Sequence, residues 1–333
     1  MKLLKLVPEN TNIKFLKWRV PFYVVSIILI FASWGLVLTK GLNLGVDFVG
    51  GQMLRVTFER SAEAPVAELR EEVGALGYGE PIIQRYGAAN EISIRMKLPD
   101  GDDDQPELSD TMAKAITADI RKNHPDARID GVDSVSGKVS GELFQTGMIA
   151  LGLAMLGISI FIWLRFEWQF GVGALFALVH DVSLTLGLFA LTQLEFDLNI
   201  VAAILTLIGY SLNDTIVIYD RIRENLKKFR RMPLAELLDL SVNETLARTI
   251  VTSLSLLITL ISLLVLGPQV IFGFTAAITL GIFVGTYSSI YMAAPILIWL
   301  KVSSDSFIPK ESDIDRQERI ARERTQNARQ PGA

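Results

Sequence analysis

Three ionisable side chains sit where a chain this apolar carries few of them. Asp181, Asp214 and Arg248 each lie inside, or at the start of, a long apolar run. Burying a charge in hydrocarbon costs several kcal/mol, so such a residue is a functional candidate by default. The chemistry that two carboxylates and one guanidinium support is proton transfer. A carboxylate beside a removable cation changes its proton affinity when the cation moves away. Asp214, Arg248 and Asp181 are therefore read as proton-relay residues. The competing reading is a structural ion pair, with Arg248 reaching to the lipid headgroups. His180 either faces the relay or bonds a neighbouring carbonyl, and the second reading is preferred. Asp220, six residues after Asp214 and beside Arg221, reads as one half of an interfacial ion pair. A catalytic dyad of Asp181 and Asp214, as in an intramembrane aspartyl protease, is a further option. It lacks a Gly-x-Gly-Asp signature, and a nearby Arg248 opposes the shared proton a dyad needs.

The elements that must carry these residues are membrane spans. A helix needs about 20 apolar residues to cross a hydrocarbon core. Six segments qualify: Val20–Thr39, Leu143–Phe166, Phe170–Leu191, Leu198–Tyr219, Thr249–Leu266 and Val270–Leu300. The first follows basic residues but is too long for a signal-peptide core and is followed by no small-residue cleavage site, so it reads as an uncleaved anchor. Helical rise puts Asp214 roughly 21 Å below the outer end of span four and Arg248 roughly 27 Å below the outer end of span five. Asp181 lies near the middle of span three. The three charges are thus expected to meet in the cytoplasmic half of one bundle.

Basic residues near the spans set the orientation. Lys2, Lys5, Lys14, Lys17 and Arg19 precede span one, and Arg221, Arg223, Lys227, Lys228, Arg230 and Arg231 follow span four. The connection Thr192–Asn199 carries Glu195 and Asp197 and no base, and Gly267-Pro268-Gln269 carries no charge. Both termini are expected in the cytoplasm. The expected layout is a cytoplasmic N-terminus at 1–19, span one at 20–39, an outer domain at 40–141, spans two to six at 142–300 and a cytoplasmic tail at 301–333.

The outer segment holds 12 Lys or Arg and 18 Asp or Glu. Gln52–Glu59 alternates with the period of a strand. Pro65–Leu76 is a helix, Pro81–Tyr86 and Glu91–Lys97 are strands, Leu108–Lys122 is a second helix and Ala127–Val135 is a last strand. The order β-α-β-β-α-β is that of the ferredoxin-like split motif. The acidic run Gly101-Asp102-Asp103-Asp104 reads as a solvated loop rather than a calcium site, because the Gly and Glu positions of such a loop are missing. The fold class is a polytopic α-helical membrane protein with six transmembrane helices and a ferredoxin-like α+β domain between helices 1 and 2.

Small residues recur every four positions in span six: Gly273, Ala277, Gly281 and Gly285, continued by Ser289 and Ala293. Such a stripe lets another backbone approach closely, in this chain or in another. Gly147, Ala150 and Ala154 make a weaker version in span two. Asp47, beside Gly45, Gly50 and Gly51, shapes the turn where the chain leaves the membrane or has a direct working role; the first reading is preferred.

Composition closes off other classes. Of 333 residues half are hydrophobic and 20% charged, with a mean hydropathy of +0.37. A soluble domain carries about 25% charged residues. A simple soluble enzyme, a disordered chain and a disulfide scaffold are excluded. The net charge of −4 argues against nucleic-acid binding, which needs a basic face. There is no cysteine, so thiol catalysis and Cys-based metal sites are excluded. No cofactor or metal is expected.

Four motifs carry a resemblance that extends over nearly the whole chain. They are Gly45-Val46-Asp47-Phe48-Val49-Gly50-Gly51, Val179-His180-Asp181-Val182, Gly209-Tyr210-Ser211-Leu212-Asn213-Asp214-Thr215 and Glu244-Thr245-Leu246-Ala247-Arg248-Thr249. With the six-span layout, they resemble the SecD/SecF family of bacterial protein-export membrane proteins, half of the resistance-nodulation-division architecture. The resemblance implies a non-enzymatic auxiliary of the Sec translocase in the inner membrane. It implies a complex with SecD, contact with the SecYEG channel and with the emerging preprotein, and use of the proton motive force. It also implies that Asp214 and Arg248 match the family's proton-coupling pair. Two other readings remain. One is a half-size proton-driven exporter of lipids or small molecules with the same fold, for which one outer domain of this size is small. The other is a scaffold without transport, which leaves the intramembrane charges unexplained.

Overall fold

The computed structural model describes residues 8, 11–85, 87–96 and 106–302. The acidic run at 101–104, Lys2, Lys5 and the tail from 303 lie outside the described residues. Among the described residues, six helical stretches are long and apolar enough to cross a membrane. A 3-10 turn, Phe15–Trp18, leads into α1 (Arg19–Thr39), and a short helix α2 (Val46–Val49) follows. The outer domain runs β1 (Gly51–Phe58), α3 (Val66–Ala75), β2 (Ile82–Arg85), β3 (Glu91–Met96), α4 (Pro106–Asn123) and β4 (Ala127–Val135). The remaining spans are α5 (Gly137–Arg165), α6 (Trp168–Thr192), α7 (Leu198–Lys228), α8 (Leu234–Leu266) and α9 (Phe272–Ser288), the last continued by a π turn (Ser289–Ala293) and α10 (Ala294–Trp299).

The outer domain has the order β-α-β-β-α-β, and its strands pair antiparallel as β2-β3-β1-β4. Strand alternation divides its two faces. Leu54, Val56, Phe58, Ile92, Ile94 and Met96 point one way, onto Leu69 and Val73 of α3 and Met112, Ile116 and Ile120 of α4. Arg55, Ser93 and Arg95 alternate with them and so belong to the opposite face. A sheet with helices on one side only leaves the other to water or to another part of the chain.

The membrane bundle has three inner and three outer spans. In spans three, four and six, 61%, 50% and 67% of the most apolar window is buried, against 17%, 11% and 11% in spans one, two and five. The small-residue stripe is what brings α9 against α7. A Cβ on Gly285 would lie 3.0 Å from the Ser211 side chain, one on Gly273 would lie 3.3 Å from Ile200 Cδ1, and one on Gly281 would overlap Leu207. Ala277 is buried between them. The stripe's neighbour is therefore in this chain.

Spans four and five extend further than their apolar stretches. α7 continues from Tyr219 to Lys228, and α8 begins at Leu234 rather than Thr249. Beyond the apolar stretch each helix turns amphipathic. Ile222, Leu226, Leu237, Leu238 and Val242 bury one another in a shared cluster, so packing replaces lipid as the support. Span six breaks near its inner end. Pro295 has no N–H to donate into the helical ladder, and the preceding turn is a π turn. The carbonyls of Met292 and Ala293 accept hydrogen bonds from the Tyr23 and Tyr219 hydroxyls, each 3.0 Å.

Gly281→Leu should force α9 away from Leu207 and lower stability by about 1–3 kcal/mol or prevent folding, since overpacked interiors relax only by strain. Phe283→Leu, at an exposed position of the same helix, should be neutral. Thermal unfolding in mild detergent measures both, and equal melting temperatures would remove the packing role of the stripe.

Candidate functional site

Asp181 is 1% exposed and fully bonded. Its Oδ1 meets His180 Nδ1 at 2.9 Å. Its Oδ2 accepts from the Ser211 hydroxyl on α7 and, at 2.9 Å, from the Ser288 hydroxyl on α9. Thr185 donates to its backbone carbonyl at 2.9 Å. One carboxylate thus ties together the three inner spans. Inside a bilayer no water stands ready to satisfy it, so these partners must come from the protein. His180 does not bond a neighbouring carbonyl through Nδ1, as the sequence suggested; the adjacent carboxylate is the stronger acceptor. Its Nε2 is buried without a hydrogen-bond partner among the described residues.

Asp214 has the opposite surroundings. It is 3% exposed, and its Oδ2 has no hydrogen-bond partner among the described residues. Ser253 of α8 lies against its carboxylate. The Ser253 hydroxyl also contacts Thr286 Oγ1 at 2.8 Å and accepts from the Tyr210 hydroxyl at 3.2 Å. Arg248 acts on Asp214 through space but forms no ion pair with it. The expected meeting of charges is corrected here: the Arg248 side chain is exposed. It lies in an open cavity of about 510 Å³ with Arg165, Asp220, Arg221, Glu224 and Glu244. Position along α8 sets its depth, and helical phase turns it to the cavity side. Asp181 and Asp214 share no hydrogen-bond partner, which speaks against a protease dyad. Asp220 is exposed, and Arg221 pairs instead with Glu244 at 2.7 Å and Glu224 at 2.6 Å. Adjacent residues point 100° apart on a helix, whereas Glu224 lies one turn on.

The Gly45–Gly51 motif lies at the outer end of the bundle. Gly50 and Gly51 have φ of +73° and +117°, and a Cβ on Gly50 would come within 3.1 Å of Gly137 Cα. The two glycines let the chain turn into β1 directly against the start of α5. Asp47 does more than shape that turn. Its Oδ2 accepts from the Leu198 backbone N–H at 3.0 Å, the first amide of α7, while Asp197 caps the same helix by accepting from Ile200 N at 3.1 Å. A carboxylate at a helix N-terminus satisfies an otherwise orphan donor and matches the helix dipole. Glu195, in the preceding turn, pairs with Arg95 at 3.1 Å. Burial raises the proton affinity of Glu195; Arg95 opposes this and Asp197 adds to it. Burial likewise pushes Asp197 up, against its bonds from Asn199 and Ile200.

Sequence reasoning missed Ser211, Ser253, Ser288 and Arg95. Ser211 precedes Asp214 by one helical turn, a spacing that could have drawn attention to it. Ser253 and Ser288 gave no signal, because serine is common in membrane helices and only the fold brings these two to a carboxylate. Asp181→Ala should strand His180 Nδ1 and two buried hydroxyls and destabilise the protein by about 3 kcal/mol. Asp181→Asn keeps the shape and an acceptor oxygen and should cost less. Thermal unfolding in detergent tests the order, and an Asp181→Ala protein as stable as Asp181→Asn would contradict it.

The chain can be compared with known proteins on this geometry. The model of the SecD/SecF C-terminal family of protein export membrane proteins matches residues 115–303, and the SecD/SecF GG motif matches residues 35–62. Protein translocase subunit SecF of Cereibacter sphaeroides is 44% identical over 303 residues, covering 90% of this chain and 93% of that protein. The subunit of the same name from Pseudomonas aeruginosa is 38% identical over 301 residues, covering 90% and 95%. The crystal structure of SecDF, a translocon-associated membrane protein from Thermus thermophilus, superposes with a TM-score of 0.79 at 31% identity over 89% of this chain. The chain spans 40% of that SecDF chain. A SecDF crystal structure in a super-membrane-facing form gives a TM-score of 0.61 at 30% identity. The GG-motif match coincides with the turn held by Gly50 and Gly51, and the larger match contains Asp181, Asp214 and Arg248. With six spans around a polar centre, the chain is a multi-pass membrane protein that belongs to the SecD/SecF family.

Proposed function

We propose that this chain is the six-span half of a proton-driven auxiliary of the Sec translocase, working with a SecD half beside the SecYEG channel to help preproteins emerge on the outer side. It acts as a coupling subunit rather than an enzyme. Asp214 is the proton carrier and Arg248 its movable counter-charge; Asp181, read from the sequence as a third relay residue, serves in this reading as the fixed anchor of the bundle around them. The observation that carries this reading is the contrast between the two carboxylates. Both oxygens of the Asp181 carboxylate are engaged, whereas Asp214 is buried with one oxygen unpartnered among the described residues, and Arg248 stands nearby in an open cavity. A relay needs a carboxylate free to gain and lose a proton and a cation free to approach it.

The chemistry is proton uptake and release at the Asp214 carboxyl. With Arg248 close, the carboxylate is favoured and the proton leaves; with Arg248 withdrawn into the cavity, the desolvated carboxylate takes a proton. Coupling requires that the two arrangements of α7 and α8 differ, because a ligand shifts an equilibrium only by its differential affinity for two states. The protein lies in the bacterial inner membrane with both termini in the cytoplasm, as the basic loops imply. The names of the relatives, and one small outer domain, favour this reading over a half-size exporter of lipids or small molecules.

Asp214→Asn and Arg248→Met should insert and assemble normally. Each should reduce the gradient-dependent part of export by at least about tenfold, while ATP-driven translocation continues. Export into inverted vesicles with and without an uncoupler, normalised to assembled complex, measures this. Full gradient stimulation in Asp214→Asn would exclude the relay. Orientation is tested separately in this cysteine-free chain. Cysteines introduced at Gln193 and Gln269 should react with an impermeant thiol reagent from outside, and one at Lys227 should not. Labelling of position 227 from outside would reverse the orientation.

A further inference from the structure

The turn between α6 and α7 is held from two directions by segments far away in the sequence. Arg95 projects from the polar face of β3 and is only 8% exposed. Its Nη2 meets Glu195 Oε1 at 3.1 Å, and its Nη1 donates to the Leu44 carbonyl at 2.8 Å and to Asn43 Oδ1 at 3.2 Å. Asn43 Nδ2 donates in turn to the Gln193 carbonyl at 2.9 Å and to Gln84 Oε1 of β2 at 3.1 Å. Two backbone bonds stitch the same segments together, Gly45 N to Phe196 O at 2.9 Å and Phe196 N to Asn43 O at 2.8 Å. Gly45 is tightly enclosed: a Cβ there would lie 3.0 Å from Glu195 Oε1 and 3.2 Å from Asp197 Cβ, so those side chains would have to give way. Two residues beyond Phe196, the amide of Leu198 is the one Asp47 holds.

A guanidinium is suited to this place. Its planar fork presents several donors at fixed angles, so one side chain serves a carboxylate, a backbone carbonyl and an amide oxygen at once. The turn it holds opens α7, and a helix is stiff along its axis. Asp214 lies 16 residues beyond Leu198, roughly 24 Å down the same rod. Tilting or rotating the outer end of α7 therefore moves Asp214 against α8.

We propose that Arg95 is a positioning residue for the relay: with Asn43 and Glu195 it clamps the outer end of α7 to the outer domain, so that the domain and Asp214 move as one body. This rests on the proton-coupling reading for its functional arm, whereas the clamp itself is a statement about the fold.

The test uses the full chain with its partners in lipid nanodiscs, read by hydrogen exchange and mass spectrometry. Arg95→Met keeps the length of the side chain and removes its donors. Asn43→Ala removes the second half of the clamp from outside the domain core. Both should raise amide exchange in peptides covering 193–200 by about tenfold, with peptides covering 51–58 as protected as in the parent. Both should also lower gradient-driven export by about threefold or more, because a loosened α7 populates the productive arrangement less often. Arg95→Lys, which keeps the charge and part of the bonding, should recover much of each loss. If Arg95→Met also loses protection at 51–58, Asn43→Ala decides. Unchanged exchange at 193–200 in Asn43→Ala overturns the clamp. Raised exchange with full gradient stimulation, in a preparation where Asp214→Asn abolishes that stimulation, overturns the positioning role. If Asp214→Asn is itself fully active, the relay reading fails, and the exchange result alone decides the clamp.

Discussion

A carboxylate buried between three helices in the membrane sets the terms for the rest of this bundle. Asp181 cannot turn to water, so every lone pair it exposes must be met by a neighbour. It finds His180 on its own helix, Ser211 on α7 and Ser288 on α9. Those bonds require the backbones of α7 and α9 to come close, and Gly285, facing Ser211 with no Cβ of its own, permits it. The glycine stripe and the buried acid are thus parts of one arrangement. The missing side chain at Gly285 leaves room for Ser211, whose hydroxyl, with that of Ser288, bonds Asp181. Apolar association alone gives little drive between helices in lipid, so small residues and polar contacts hold such a bundle together.

Against that saturated centre, Asp214 stands out by what it lacks. It shares the burial of Asp181 but not its partners, and its Oδ2 is unmet among the described residues. A buried carboxylate with an oxygen left free responds to any charge brought near it. Arg248 supplies the charge from the next span without making contact, and its open cavity gives it room to move. The π turn at Ser289–Ala293 lies on the helix that faces both residues' neighbours. Such turns are frequent at functional positions, and here the carbonyls of Met292 and Ala293 accept from the Tyr23 and Tyr219 hydroxyls.

The outer domain has two unlike faces, and the unlikeness decides where it sits. Its apolar face is covered by α3 and α4. Its polar face carries Arg55, Ser93 and Arg95 toward the turn that opens α7. The pairing of Arg95 with Glu195 is half-sheltered, which strengthens it relative to a surface pair. The result is a domain tied to the membrane part at its two chain connections, beside Gly50 and Gly137, and through this densely bonded turn.

Local pattern was enough for the architecture. Runs of apolar residues mark the spans, alternation marks β1 and β3, and a four-residue recurrence marks the face of α9 that packs closely; each is a property of neighbours in the chain, which sequence displays directly. The same holds for the identity of the ionisable residues in the spans, since a charge in an apolar run is visible as such. Partnership was not legible. Depth along a helix placed Arg248 within side-chain reach of Asp214, but the side chain's direction depends on helical phase and on what the adjoining helices leave open, and the fold turned it to a cavity. His180 found a carboxylate rather than a carbonyl, and Asp47 found an amide 151 positions away. Ser211, Ser253, Ser288 and Arg95 are unremarkable letters until the spans assemble. Hydrogen bonds reach only about 3 Å, so which groups meet is decided by the packing of segments distant in sequence, and that only the tertiary structure determines.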